Sequence, residues 1–338
     1  MIELDGLEAG GQFVRTAVAL SALTEKPVKI KNVRGSRKPP GLKTQHMEGI
    51  RSIAELCDAD VKGLRLGSTE LEFYPKKLQA KNIDVKISTA GSIGLVLQAL
   101  LILTSQLPKP IKIKFDGGGT FGKWAPSPYY LQHVLLPLLG DDTKIDIIRD
   151  GFYPKGSAIV EVLTAPLKAK PLNLTKMTKL NSISCISIAA KQLSGRKVAE
   201  RQTETAVKLL KEKFSIEPSV EIKYVDAASA GSGMLIVAKT ENSILGGDAI
   251  GELGKGAEDV AAEAVNNLIF EVANGAVDRH AGDMLLPYMA IAGSGNILVS
   301  QITHHMLTNI SVIEKFLPVK FIVDGQKGMP GTISVSRA

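Results

Sequence analysis

One order of elements occurs three times along this chain, and that repetition limits the fold more than any single motif does. Residues 1–4 read as a strand, Glu8-Ala-Gly-Gly-Gln12 as a tight turn and residues 13–23 as a helix of small and apolar residues. A strand over 27–33 and a helix over 44–57 follow, the latter marked by Met47, Ile50, Ile53, Ala54 and Cys57 at helical spacing. Strands over 60–64 and 70–74 close the unit. The same order returns with a strand over 83–88, a helix over 93–107, a strand over 111–115, a helix over 129–139 and strands over 143–148 and 158–163. Gln45-His46 and Gln132-His133 fall in corresponding second helices. A third copy runs from about Asp283, with a helix to Ala292, a strand over 296–302, a helix around His305 and strands over 319–323 and 332–335. Three units of about 75 residues make a repeat architecture, in which each unit hides its apolar face only by packing on the others.

Residues 180–274 break the pattern. Strands over 182–189, 220–225 and 233–238 alternate with helices over 196–214 and 257–273. The expected class is therefore α/β in the α+β arrangement: three units of two helices on a four-stranded sheet, with a smaller inserted α/β domain. Residues 1–179 and 275–338 form the large domain and residues 180–274 the insert.

Composition narrows the function. No apolar run approaches the ~18 residues of a membrane span, and the acidic start is no signal peptide, so a cytoplasmic protein is expected. Cys57 and Cys185 form neither a metal motif nor a disulfide framework. A net charge of +7 suits an anionic partner, and its distribution says more than its size. Lys29, Lys31, Arg34, Arg37, Lys38 and Lys43 fall together with no acidic residue among them, which suits either a solvated loop or one that faces phosphate.

The stretch from Gly295 to Val319 carries the chemistry. Met306, Ile310, Ile313 and Leu317 recur at helical intervals, and Pro318 ends the run. Thr303 or His304 caps this helix, which puts His305 in its first turn. There the free N–H groups attract phosphate and depress an imidazole's pKa, the condition for a nitrogen nucleophile. The plain alternative makes His304 and His305 polar residues at a helix start. Glu8-Ala-Gly-Gly-Gln12 with Arg15 places a carboxylate, glycines and a cation at one turn, yet fits neither the dinucleotide fingerprint nor the Walker A pattern. Asp283 in isolation reads as an N-cap.

Taken together these stretches resemble the RNA 3′-terminal phosphate cyclase family over nearly the whole chain. The matching segments are Leu4-Asp-Gly with Glu8-Ala-Gly-Gly-Gln12-Phe-Val-Arg15, and Arg37-Lys-Pro-Pro-Gly-Leu-Lys-Thr-Gln45-His46. Ala90-Gly-Ser-Ile-Gly-Leu-Val-Leu-Gln98, Gly118-Gly-Thr120, Gly151-Phe-Tyr-Pro154 and His305-Met-Leu-Thr-Asn309 follow in the same order. The resemblance implies an ATP-dependent conversion of an RNA 3′-phosphate end to a 2′,3′-cyclic phosphate, through histidyl-AMP and an adenylated RNA end. It implies His305 as nucleophile and Glu8 as ligand of Mg²⁺ or Mn²⁺. Gln98, His280, Ala281, Gly282, Asp283 and Met284 would contact ATP, and Arg15, Arg37, Gln45 and His46 would face the triphosphate or the RNA terminal phosphate. Many members carry glycine where this chain has Ala9, glutamine where it has Met284, and a fuller glycine run at Tyr-Pro-Lys-Gly-Ser157. Two other readings of the architecture are a cyclase-like ribosome-biogenesis factor without catalysis and an enolpyruvyl-type transferase. Retention of Glu8, Arg15, Arg37 and His305 argues against the first.

Overall fold

The computed structural model describes residues 1–123 and 125–338. The first unit contains β1 (Ile2–Asp5), α1 (Gly11–Thr24), β2 (Val28–Lys31), α2 (Thr44–Cys57), β3 (Asp60–Lys62) and β4 (Leu71–Tyr74). Its sheet has the order β1-β2-β4-β3, with β1 and β2 parallel and the other pairs antiparallel. The second unit repeats this with β5 (Ile83–Ser92), α3 (Ile93–Thr104), β6 (Lys112–Gly119), β7 (Lys144–Arg149) and β8 (Ile159–Leu163), ordered β5-β6-β8-β7. Its second helix is α4 (Pro128–Tyr130) and α5 (Leu136–Leu139) joined through a π-helical turn, Leu131–Leu135. The segments expected as a turn at 89–92 and a loop at 116–120 are largely strand. β5 runs on to Ser92 after a register slip beyond Ile87, and β6 runs on to Gly119.

The third unit starts earlier than its sequence suggests. Its first strand is β9 (Leu172–Leu174), which lies before the insert. The insert contributes β10 (Leu180–Ala190), α6 (Val198–Phe214), β11 (Ser219–Val225), β12 (Ser232–Thr240), β13 (Ile244–Ile250) and α7 (Ala257–Asn274). Only then come α8 (Arg279–Ala292), β14 (Ser294–Val299), α9 (His304–Phe316), β15 (Val319–Gly325) and β16 (Gly331–Arg337). β9 pairs in parallel with β14, Asn173 opposite Asn296, and completes the sheet β15-β16-β14-β9. The inserted residues thus interrupt the third unit between its first strand and first helix. β13 is also absent from the sequence-based reading, because Gly246 and Gly247 dilute its apolar pattern. Packing demands both glycines: a Cβ at Gly246 would lie 2.6 Å from the Tyr130 ring, and one at Gly247 would lie 2.5 Å from the backbone of α7.

The insert sheet, ordered β11-β10-β12-β13, is covered on both faces. Ile183, Cys185, Met234 and Ile236 pack with Leu210, Ala264 and Leu268 of α6 and α7, whereas Ile186, Ile188, Leu235 and Val237 join the core of the repeated body. Alternation along a strand sends neighbours to opposite faces, so a sheet buried twice reads as a continuous apolar run. In the body, α1 and α3 are the central helices. Every residue of α1 from Gln12 to Ala22 is buried, and α1 packs on α2, α3 and α9. A helix apolar almost all round belongs inside, and here that places the start of α1 where the first and third units meet. Among the described residues, no helix is long and apolar enough to cross a membrane.

Candidate active site

The start of α1 is open. Gly10 is its N-cap and offers no side-chain cap, and no acidic residue stands in the first turn. The first backbone N–H groups of a helix have no intrahelical acceptor, so an uncapped start is a ready site for an anion. Two imidazoles close in on it. A Cβ at Gly10 would lie 2.9 Å from His305 Cε1, and a Cβ at Gly11 would lie 2.0 Å from His46 Nε2. The glycine pair therefore gives room for two rings from two other helices.

His305 comes from α9, which Thr303 caps by accepting the Met306 N–H. Its Nδ1 is buried without a partner, while no such sealing holds for Nε2. Burial pushes the imidazole below its usual pKa, and the charges of Arg15, His304, Arg37 and His280 push it the same way. The neighbouring His304 turns elsewhere, its Nε2 donating to the Glu8 carbonyl at 2.8 Å. His46 Nδ1 accepts the Lys43 N–H at 3.1 Å, which leaves the ring proton on Nε2, at Gly11. Burial, then Arg15, Arg34 and Lys43, hold His46 down at about 3, so it is a neutral donor at any ordinary pH.

Behind the imidazoles lies a buried ionisable pair. The Arg15 side chain is buried, which lowers it to about 10, with Asp283 pulling the other way. Burial raises Asp283 to about 7, against the lowering influence of His280, Arg15 and Asn309. Asn309 Nδ2 donates to Asp283 Oδ1 at 2.8 Å, and Asn309 Oδ1 accepts from Thr16 Oγ1 at 2.9 Å. The Gln12 amide nitrogen lies beside the same carboxyl group, buried and without a well-formed hydrogen bond.

Not every expected residue converges on this spot. Glu8 and Arg37 are exposed at its rim, and Gln45 accepts the Ser92 N–H at 3.3 Å, linking α2 to the end of β5. Gln98 is half-buried on α3. His280 is exposed, with its ring edge-on to Tyr130 at 6.2 Å. Ala281, Gly282 and Met284 are packed into the core: a Cβ at Gly282 would lie 2.6 Å from the Met306 methyl group. Asp283 is not an N-cap. Asp278 holds that position, accepting the N–H groups of His280 and Ala281. Asp278 also accepts the Tyr130 hydroxyl and the Gly246 N–H, joining the second unit, the insert and α8.

The basic stretch divides as well. Lys29 pairs with Glu72 and Lys31 with Glu3, while Arg34 donates to the carbonyls of Gly41 and Pro39. Arg37, Lys38 and Lys43 make no ion pair among the described residues, so the unpaired charge of this stretch is narrower than the sequence suggests. Gln132 of the second unit lines a different feature, a polar cleft of about 390 Å³ between β7 and β11 that contains none of the expected site residues. Thr16 and Asn309 were missed as site residues. Asn309 lies four residues after His305, on the same helical face, and that spacing was the available signal.

The family described as RNA 3′-terminal phosphate cyclase matches residues 6–323. The chain belongs to this family. The RNA 3′-terminal phosphate cyclase of Thermococcus kodakarensis is 42% identical to it over 344 residues, covering 100% of this chain and 98% of the relative. The Pyrococcus abyssi cyclase is also 42% identical, with 100% and 99% covered. That of Methanopyrus kandleri is 38% identical, with 99% and 98% covered. Within this cyclase-family chain, Ala9 does not fall among the residues of positive φ, so a methyl group there is compatible with the turn.

Proposed function

We propose that this chain is an ATP-dependent RNA 3′-terminal phosphate cyclase that works through a histidyl-AMP intermediate on His305. The observation that carries the reading is the His305 imidazole at the open start of α1. Its Nδ1 is sealed, its basicity is depressed, and a buried guanidinium stands behind it. Nε2 is then the nitrogen that attacks the α-phosphorus of ATP, forming a P–N bond as the bond to pyrophosphate breaks. Nδ1 keeps its proton, so the adduct is a protonated phosphoramidate with a good leaving group. An oxygen of the RNA 3′-phosphate next attacks that phosphorus, which releases His305 and leaves an RNA end capped as 3′-pp-5′-A. Finally the adjacent 2′-hydroxyl attacks the 3′-phosphorus, gives up its proton and expels AMP, closing the 2′,3′-cyclic phosphate.

The N–H groups at the start of α1, the Nε2–H of His46 and Arg15 would stabilise charge that grows on the phosphoryl oxygens. Arg37 and Gln45, nearer the rim, would receive the triphosphate or the RNA end. Among the described residues, no group of three His, Cys, Asp or Glu side chains forms a metal cage. The exposed Glu8 suits Mg²⁺ or Mn²⁺ held by one carboxylate together with substrate phosphates, where it would offset phosphate charge. Gln98, His280 and Asp283 would face the nucleotide, while Ala281, Gly282 and Met284 would shape its wall from within the core.

The test is an RNA ending in a 2′-deoxy 3′-phosphate, incubated with ATP and Mg²⁺. Such an end should accept AMP and stop as the capped species, while an ordinary 3′-phosphate passes through it and becomes phosphatase-resistant. The last step needs little from the protein because the ribose itself holds the two groups together. Resistance of the deoxy end without AMP would overturn the sequence of steps. A chain never labelled by α-labelled ATP would instead be a non-catalytic cyclase-like factor.

A further inference from the structure

Asn309 lies one turn beyond His305 on α9, and both side chains meet α1. His305 is seated against Gly10, and Asn309 meets Thr16 nearly two turns further along. The same amide reaches α8 through Asp283. Asn309 is 1% exposed, so neither of its hydrogen bonds is shared with solvent. Its orientation is determined by its partners. With Nδ2 toward Asp283 Oδ1 the contact is a donor meeting an acceptor; a flipped amide would bring two oxygens together.

We propose that Asn309 is a positioning residue for nucleotidyl transfer: its amide keeps Asp283 Oδ1 an acceptor while setting the seat of His305 on α1. This rests on the reading of His305 as nucleophile. Because Oδ1 receives the amide, any proton that Asp283 takes up goes to its other oxygen. The charged and titratable groups that act on that carboxyl group are His280 on α8 and Arg15 on α1, with His305 of α9 and His46 of α2 beyond Arg15. Asp283 is the only carboxylate among the causes acting on Arg15, so its charge steadies the buried guanidinium. Labelling from ATP should therefore decline as pH falls through the titration of Asp283 near 7. His305 is still neutral there, because its own pKa is depressed below the usual histidine value.

Three variants of the full chain separate the parts. Asn309→Asp keeps the acceptor for Thr16 but removes the amide donor and adds a second acid, and paired acids take up a proton at higher pH. Its acid limb of labelling should move up by about one pH unit or more. Thr16→Val leaves the donor to Asp283 in place, so labelling should slow several-fold with the limb unmoved. Asp283→Asn should abolish the limb.

Carboxyl NMR of ¹³C-aspartate-labelled protein, with Asp283→Asn to assign the signal, reads the same titration without ATP. In it the Asp283 midpoint should shift in Asn309→Asp and hold in Thr16→Val. Superimposable titrations in wild type and Asn309→Asp would overturn the proposal. So would an unchanged acid limb in Asp283→Asn. Absence of label from the wild-type protein at every pH would overturn the parent reading instead, and the NMR titration would still report whether Asn309 governs Asp283.

Discussion

The first helices of the three units occupy equivalent places and begin differently. Ser92 caps α3 by accepting the Leu95 N–H at 3.2 Å, and Asp278 caps α8 through two N–H groups. At α3 the chain also presses in from outside, since a Cβ at Gly94 would lie 1.9 Å from the Pro126 carbonyl oxygen. Only α1 of the three lacks a side-chain cap, and there His46 and His305 take the space beside Gly10 and Gly11. The repeat supplies three similar helix starts; two are closed by side-chain caps, and the third has none. The same divergence separates Gln45-His46 from Gln132-His133. His46 of one pair stands at the open start of α1 and Gln45 at the end of β5, while the other pair sits in a helix with a π turn, Gln132 lining the cleft beside the insert.

Closing the open end should have the largest effect. Gly11→Ala puts a methyl group where the His46 ring lies, and that ring is held by the Lys43 N–H. A displacement of about 1 Å at a reacting centre can cost about 100-fold in rate, so labelling from α-labelled ATP should fall by that order. Wild-type labelling in Gly11→Ala would mean that the start of α1 does not receive phosphate.

The reverse experiment alters a closed end. Ser92→Ala removes the cap of α3, which should cost about 1 kcal/mol of stability, measured by urea unfolding, with labelling of the folded protein unchanged. Loss of labelling with no change in stability would erase the distinction between the two helix starts.

A smaller effect concerns acid. The folded-state pKa of His46 is depressed to about 3, while the unfolded chain takes up that proton near 6.5. The stability it contributes is therefore complete above about 6.5 and is lost as pH falls toward 3. Asp283 acts in the opposite sense: its raised pKa makes the folded state bind a proton first as pH drops below about 7. In His46→Gln the first contribution is gone, so stability at pH 5, taken relative to stability at pH 7, should be higher than in wild type. A pH 5 stability, relative to pH 7, that equals or falls below the wild-type value would mean that His46 is not buried as a neutral ring.

Much of this fold can be read from the residues. α2 spans Thr44–Cys57 as expected, because Pro39-Pro40-Gly41 ends the preceding loop and the apolar residues that follow keep helical spacing. What escaped was structure set by distant partners. β9 is three residues long and gains its identity only from β14, more than a hundred residues later. β13 carries glycines that only the packing of Tyr130 and α7 explains.

The site shows the same division. His305 and Arg15 sit in local patterns that announce chemistry. Met284 in the core, Arg34 spent on its own loop's carbonyls and the Thr16–Asn309–Asp283 chain depend on contacts between units. In isolation Asp283 reads as a cap because helix starts are hard to fix from sequence, whereas Asp278 five residues earlier holds the N–H groups.

The central claim is that His305, and not its neighbour, bonds to the nucleotide. His304 donates to the Glu8 carbonyl, whereas His305 stands at the open helix end. The direct measurement is covalent labelling of the full chain by α-labelled ATP in wild type, His304→Ala and His305→Ala. The account predicts an acid-labile, alkali-stable label, retained in large part by His304→Ala and absent from His305→Ala. Equal labelling of His305→Ala and wild type would contradict it.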